Sequence, residues 1–304
     1  MRGAVGRVVY VDSASTDGSV ERARGLGADV VELDMARPFT AARARNEGFA
    51  RLTELAPALR YVQFVDGDCE VVDGWIATAR ARLEGSPRLG VVCGRRRERH
   101  PEASVFNRII DVEWDTPVGE ALACGGDAMM RVEAFRSVGG FDPSVIAGEE
   151  PELCVRLRGR GWRIERLDAE MTLHDAAMTH PRQFWLRAVR AGHAFAEGAA
   201  MHGAPPERHW VKETRRVVLW GALVPAVALG AAVPTLGLSL GLLAAYPAQA
   251  ARIYRHVRGR GRAPTDAAAY AAAVTVGRFA EAQGVLKYYG ARWRGRRNRL
   301  IEYK

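Results

Sequence analysis

The sequence predicts an α/β protein with a mostly parallel sheet flanked by helices, followed by a C-terminal membrane-associated helical region. Three observations point there. Over residues 7–94, short β-branched runs alternate with helix-like stretches, a rhythm that implies right-handed crossovers and a sheet covered on both faces. Two of those runs, "VVYVD" and "QFVDGD", end in acid, and ligands of such sheets bind at the carboxyl ends of the strands. Finally, the stretch from Val217 to Ala251 carries no charged residue and is flanked by arginines.

The elements follow in order. "RVVYVD" (Arg7–Asp12) reads as a strand and "GSVERARGLG" as a helix. "DVVEL" (Asp29–Leu33) is a second strand and "TAARARNEGFARL" (Thr40–Leu52) a second helix. "YVQFVD" is the third strand; a helix from about Gly74 to Leu83 and the strand "LGVVCG" (Leu89–Gly94) come next. These belong to a first domain over residues 1–204. "APPERHWVKETRR" is a polar, proline-marked hinge, and a second region takes residues 205–304. At about 20 residues per crossing, the run at 217–251 is long for one span and short for two. Pro234 falls near its middle, and both ends are basic. Positive flanks stay cytosolic, so a hairpin with both ends on the cytoplasmic face of the cell membrane is expected; a buried helical pair is the alternative. The tail "RIYRHVRGRGR", an alanine-rich helix (Ala267–Gly277) and "RWRGRRNR" suit an anionic lipid surface.

Composition narrows the function classes. At 304 residues and 48% hydrophobic, the chain is long enough for a full core. The formal charge of +9 is almost all arginine, since lysine occurs only at 212, 287 and 304. The basic residues gather beside the apolar run and lack interleaved aromatics on a recognisable module, which excludes nucleic acid as the expected partner. Cys69, Cys93, Cys124 and Cys154 are dispersed with no paired spacing. That argues against a zinc site or disulfide framework and for a reducing compartment. The opening "MRGAVGRVVYVD" shows no signal-peptide pattern.

Four clusters carry chemistry. Asp66 and Asp68, one glycine apart at a strand end, are two hard oxygen ligands suited to one Mg2+ or Mn2+ that in turn holds a diphosphate. Glu149 and Glu150 precede Pro151 at a helix start. Acids there complement the helix dipole, and a carboxylate at a pocket edge also serves as a general base. His174 in "MTLHDAAMTH" is either structural or a third metal ligand. Gly125-Gly126 before Asp127 permits close backbone approach to a substrate, or marks a bulge.

The ordered set "VDSASTDGS", "ARARNEGF", "FVDGDCEV", "CGGDAMMRVEAFRSVGGFD" and "AGEEPELCVRLRGRGW" resembles the family 2 glycosyltransferases of the GT-A fold over about residues 7–200. The resemblance implies an inverting, metal-dependent transfer of a sugar from a nucleotide-sugar donor to a hydroxyl of a lipid-linked or polysaccharide acceptor. It makes Asp66 and Asp68 metal and nucleotide residues, with His174 joining the metal. Glu150 would be the base with Glu149 beside it, and Asp12, Arg45 and Asp127 would line the nucleotide-sugar side. Trp185 and Arg187 in "RQFWLRAVRAG" are acceptor-side candidates, although that segment reads equally as an amphipathic helix.

Three departures stand out. Ser13 replaces a second aspartate, and the acidic pair is Glu-Glu. The family's first strand and helix have no counterpart before "RVVYVD", so the expectation is that Met1 is an internal start and the native chain is longer. A metal-dependent nucleotidyltransferase and a non-catalytic GT-A-like scaffold at the membrane remain as alternatives.

Overall fold

The computed structural model describes residues 6–295. The chain forms two compact units, one of residues 1–97 and 114–175, the other of residues 98–113 and 176–304.

The first unit is α/β. Strand β1 (Val9–Asp12) leads through α1 (Ser19–Gly25) to β2 (Asp29–Glu32), and the two pair in parallel with Val11 opposite Val31. Helix α2 (Ala41–Leu55) starts where Thr40 accepts a hydrogen bond from the Arg43 N–H, satisfying one of the orphan donors of the first turn. Next come β3 (Tyr61–Phe64), β4 (Cys69–Val71), α3 (Trp75–Glu84) and β5 (Leu89–Glu98). Helix α4 (Val105–Glu113) belongs to the other unit. Then β6 (Gly119–Glu120), β7 (Ala128–Arg131), α5 (Val132–Ser137), α6 (Glu149–Gly159) and β8 (Arg163–His174) complete the unit. Strands β3-β7-β5-β8-β4 form one sheet in that order, with β6 alongside β8.

The elements expected from the pattern are present, but the pairing differs from the mostly parallel expectation. Only β1–β2 is parallel among the pairings described; β3–β7, β5–β7, β4–β8 and β6–β8 are antiparallel. The crossover rhythm ends after β3, and β7 enters beside it from a segment some 60 residues downstream that carries no helix–strand signature. The core packs Phe64, Phe135 and Phe141 together at 5.2–5.3 Å between ring centroids, with Trp75, Leu89, Val91 and Met130 buried around them. Within this unit, β1 and β3 each pair on one side only among the described residues. Val9, Val11, Tyr61, Gln63, Phe49 and Leu52 line a cavity of about 620 Å³ that both strands border.

The second unit is helical. It holds α4, α7 (Pro181–His202), α8 (Val211–Val218), α9 (Val224–Gly230), α10 (Ala245–Gly259) and α11 (Pro264–Trp293). Helix α7, expected in the first domain, groups here. The spanning hairpin is not formed: no described helix is long and apolar enough to cross a membrane. A π-helical turn at Leu219–Leu223 and a 3-10 segment at Leu238–Ala244 interrupt the run, and Leu236 and Gly237 take positive φ values of 49° and 87°. Pro234, lacking an N–H, sits at the break. The second half of the predicted basic stretch "RWRGRRNR", residues 296–299, lies outside the described residues.

Candidate active site

The site is built on the carboxyl end of β3. The Cys69 N–H donates to the Asp66 carbonyl at 3.0 Å, closing a tight turn across Asp66-Gly67-Asp68. Strand β4 then pairs with β8 so that Cys69 lies opposite His174, which brings His174 Nε2 within 3.2 Å of Asp68 Oδ1. The Asp68 oxygen, the Cys69 sulfur and a His174 nitrogen lie within 4.8 Å of one another. His174 is buried edge-on against Trp114, with ring centroids 4.6 Å apart, and its Nδ1 has no hydrogen-bond partner among the described residues.

Asp66 turns a different way. Arg45 of α2 donates to Asp66 Oδ1 and to Glu149 Oε1, both at 2.5 Å, and lies 5.5 Å from the Phe141 ring. Burial pushes the Asp66 carboxyl up, and Arg45 and Arg96 more than reverse this, so it titrates below the usual carboxylate range. The expected metal trio is therefore split: Asp68 and His174 converge, while Asp66 is engaged by a guanidinium.

Asp127 is fully buried. It accepts from the Asp66 N–H at 2.9 Å and the Thr172 hydroxyl at 2.9 Å, and pairs with Arg96 at 3.2 Å. Both its oxygens are engaged by protein groups, so within the described residues it braces the turn from below. Arg96, in turn, lies over the Trp114 ring at 5.4 Å. Gly126, at φ 105°, leaves room beside Arg96, Asp66 and Arg45 that a Cβ would occupy, so the backbone closely approaches this charged floor.

The two glutamates separate sharply. Helix α6 begins at Glu149 after Gly148, with Pro151 in the first turn where a missing N–H costs no helix bond. Glu149 faces Arg45. Glu150, 2% exposed, accepts from the Cys124 and Gly125 N–H groups at 2.7 and 2.8 Å, and lies 2.8 Å from Cys154 Sγ. Asp12 closes β1: its Oδ2 accepts from the Ala14 and Ser15 N–H groups, while the buried Oδ1 has no partner among the described residues.

Trp185 and Arg187 lie in the helical unit, where Trp185 donates to Gln283 and Arg187 forms a bidentate pair with Glu113. Those are bonds within the packing of the helical unit. The dispersal of the cysteines misled in another way: the fold brings Cys93, Cys124 and Cys154 together. Sequence reasoning also missed Arg96, Trp114 and Thr172. Only the acid-lined strand ends hinted that buried arginines were needed to balance them.

Around the turn, Arg45 pairs with Asp66 and Glu149, Arg96 pairs with Asp127, and Asp68 lies beside His174, so carboxylates outnumber guanidiniums among these residues. The excess of negative charge attracts a divalent cation and repels an unaccompanied anion.

Comparison with known proteins gives a concordant picture. The model of the family described as Glycosyl transferase family 2 matches residues 6–139. The succinoglycan biosynthesis protein ExoA of Rhizobium meliloti (strain 1021) is 30% identical over 239 residues, covering 75% of this chain and 72% of that one. The pre-mycofactocin glycosyltransferase of Mycobacterium tuberculosis (strain CDC 1551 / Oshkosh) is 30% identical over 264 residues, 78% of this chain; the match spans about half (49%) of that relative. In fold, the chain is similar to the mannosyltransferase PcManGT of Pyrobaculum calidifontis, solved with GDP-Man and Mn2+. There the TM-score is 0.56 and the identity 20%, over 93% of this chain and 77% of that one.

Proposed function

Because the chain belongs to the family 2 glycosyltransferases, we propose that it is a metal-dependent, inverting enzyme. It moves a sugar from a nucleotide-sugar donor to a hydroxyl of a lipid-linked or polysaccharide acceptor. Family membership sets aside the nucleotidyltransferase and scaffold alternatives. The observation that carries the finer reading is the excess of carboxylates around the Asp66–Asp68 turn, which a diphosphate enters only with a cation.

Asp68 and His174 would hold that cation. An oxygen and an imidazole suit Mn2+, with Mg2+ also served by the carboxylate. When bound, the ion supplies neutralising charge to the departing diphosphate. Asp12 Oδ1, buried and unpaired, is available to a donor group of the nucleotide base. Arg45 keeps Asp66 ionised, and Asp127 fixes the backbone of the turn. The base comes from the glutamate pair. Glu150 Oε2 accepts from the Gly125 N–H, and a carboxylate oxygen has room for a further donor, so it takes the acceptor hydroxyl's proton when the 124–126 loop admits that group. One base acting on one face gives a single displacement and hence inversion.

The test is donor turnover with Mn2+, read as nucleotide release and as the anomeric configuration of the product. Glu150→Gln is expected to lower kcat by about 10²–10⁴-fold with little change in donor KM. Glu149→Gln acts mainly through Arg45 and shifts KM. An active Glu150→Gln with an inactive Glu149→Gln would move the base to Glu149, and retained configuration would end the single-displacement mechanism.

The location proposed is the cytoplasmic face of the cell membrane, held at its surface. Val233 and Leu236 are 86% and 95% exposed, with Leu229 and Leu238 exposed beside them, and Arg215, Arg216, Arg252, Arg255 and Arg258 flank the segment in sequence. Apolar exposure with basic flanks suits anionic lipid. Leu236→Asp with Val233→Asp should abolish co-sedimentation with anionic vesicles; undiminished sedimentation would refute this attachment.

A further inference from the structure

Two of the four cysteines, Cys124 and Cys154, converge on Glu150, and a third, Cys93, lies beside Cys124. Cys93 lies on β5, Cys124 in the loop before β7, and Cys154 one turn into α6. The ligand atoms of Cys124, Glu150 and Cys154 all lie within 4.8 Å of one another, and the Cys124 thiol also meets the Cys93 thiol. Cys93, Cys154 and Glu150 are buried, while Cys124 is half-buried and forms the open side.

We infer that Cys124, Cys154 and Glu150 form a second cation site, separate from Asp68 and His174, that takes a soft divalent ion of the Zn2+ type with Cys93 available as fourth ligand. Two or three sulfurs with one carboxylate suit a thiophilic ion and serve Mg2+ poorly. Zn–S bonds of about 2.3 Å in a tetrahedron set neighbouring sulfurs about 3.7 Å apart, so the cluster contracts by about 1 Å at most. The Cys124 loop can absorb that shift, since Gly125 and Gly126, at φ 87° and 105°, follow directly.

Ion uptake passes the Cys124 and Cys154 S–H protons to solvent, and the two sulfur lone pairs form the bonds to the metal; no electron is transferred. Burial pushes the Cys154 thiol up to about 12, and Cys124 is likewise raised, chiefly by hydrogen bonding to Cys154 and Cys93. Protonated buried thiols resist oxidation, which separates this cluster from a disulfide switch, and uptake strengthens as pH rises. The consequence of occupancy rests on the reading of Glu150 as base: an ion bound to its carboxylate withdraws it from the acceptor hydroxyl and inhibits transfer.

The test is titration of the chelator-stripped full chain with Cd2+, read by the ultraviolet thiolate-to-metal charge-transfer band and by proton release. About one Cd2+ per chain should produce the band and release about two protons, or about three where Cys93 joins as a ligand. Asp68→Asn and Cys69→Ser should leave it unchanged, and Cys154→Ser should weaken binding at least tenfold. Cys124→Ser, at the half-buried position, replaces Cys154→Ser if circular dichroism shows the latter unfolded. A wild-type protein without the band overturns the site, and so does a band lost in Cys69→Ser but kept in Cys154→Ser. Binding without inhibition of sugar transfer keeps the site and overturns its inhibitory role, pointing to a base other than Glu150.

Discussion

The first unit contains two sheets finished to different degrees. In the larger one, β5 is buried from Leu89 through Arg95, with β7 on one side and β8 on the other. In the β1–β2 pair, Val9, Tyr10 and Val11 are only half-buried and β2 ends exposed at Glu32. Both strands of the pair have one described neighbour, and β1 borders the 620 Å³ cavity. The difference shows where the site gets its rigidity. Asp66, Asp68, Asp127, His174 and the glutamates hang from the larger sheet and the helix packed on it. From the pair comes Asp12 alone. Most of the candidate side chains are thus anchored on the larger sheet, whose β3 edge also borders the cavity, and a single one on the β1–β2 pair.

The largest effect that tests this comparison is a pair of truncations. Trp75 is 1% exposed and its indole N–H donates to Gln63 Oε1 at 2.8 Å. Trp75→Ala should cost about 3–5 kcal/mol in urea unfolding. Val11→Ala, beside an existing cavity, should cost about 1 kcal/mol or less, because little packing is lost where packing is already incomplete. Equal losses would mean that the β1–β2 pair is as tightly held as the larger sheet.

The second test swaps charge for an isosteric amide at each strand end. Asp127→Asn breaks the Asp127–Arg96 pair, leaving Asp66 as the remaining counter-charge of Arg96, and should cost about 3 kcal/mol, while lowering turnover by loosening the Asp66 turn. Asp12→Asn keeps an oxygen for the Ala14 and Ser15 N–H groups and should cost about 1 kcal/mol or less. Its kinetic signature should be a raised donor KM with kcat nearly unchanged. A kcat loss in Asp12→Asn as large as that in Asp127→Asn would mean that the β1–β2 pair bears on turnover as much as the larger sheet does.

How much of this was legible in the sequence follows the same line. Local signals located the elements: β-branched runs ending in acid, helix-like stretches between them, a glutamate pair at a helix start. They also marked Asp66, Asp68, Glu150 and His174. What they did not carry is who pairs with whom. The antiparallel entry of β7 beside β3, the burial of Asp127 and the stacking of Arg96 on Trp114 depend on residues far apart in the chain. The three thiols looked dispersed because sequence spacing says nothing of distance across a sheet. The charge-free run at 217–251 suggested a membrane hairpin, yet the turn at residues 231–237, with Pro234 and Gly237, separates α9 from the 3-10 segment, and apolar side chains there remain exposed. Composition measures hydrophobicity over a window; it does not measure helix continuity.

The smallest expected effect concerns acid. Arg45 and Arg96 hold the Asp66 carboxyl below its ordinary value of 3.8 against the opposing effect of burial. The folded value being the lower one, the unfolded chain binds more protons in this range, and stability rises with pH. The contribution is complete above the unfolded value and disappears as pH falls through the folded one. It is modest, because the Asp66 side chain is 34% exposed and solvent screens the pair. Asp12 is lowered too, first by the Ser15 hydroxyl, so both ends contribute with the same sign and the wild-type curve alone does not separate them. Arg45→Met does. It raises Asp66 without touching Asp12, so the acid slope of urea stability below about pH 4 should flatten by the closed sheet's share and keep the open pair's. An unchanged slope would assign the hold on Asp66 to Arg96, and the tie from α2 through Arg45 to the turn would then orient the carboxylate without setting its charge.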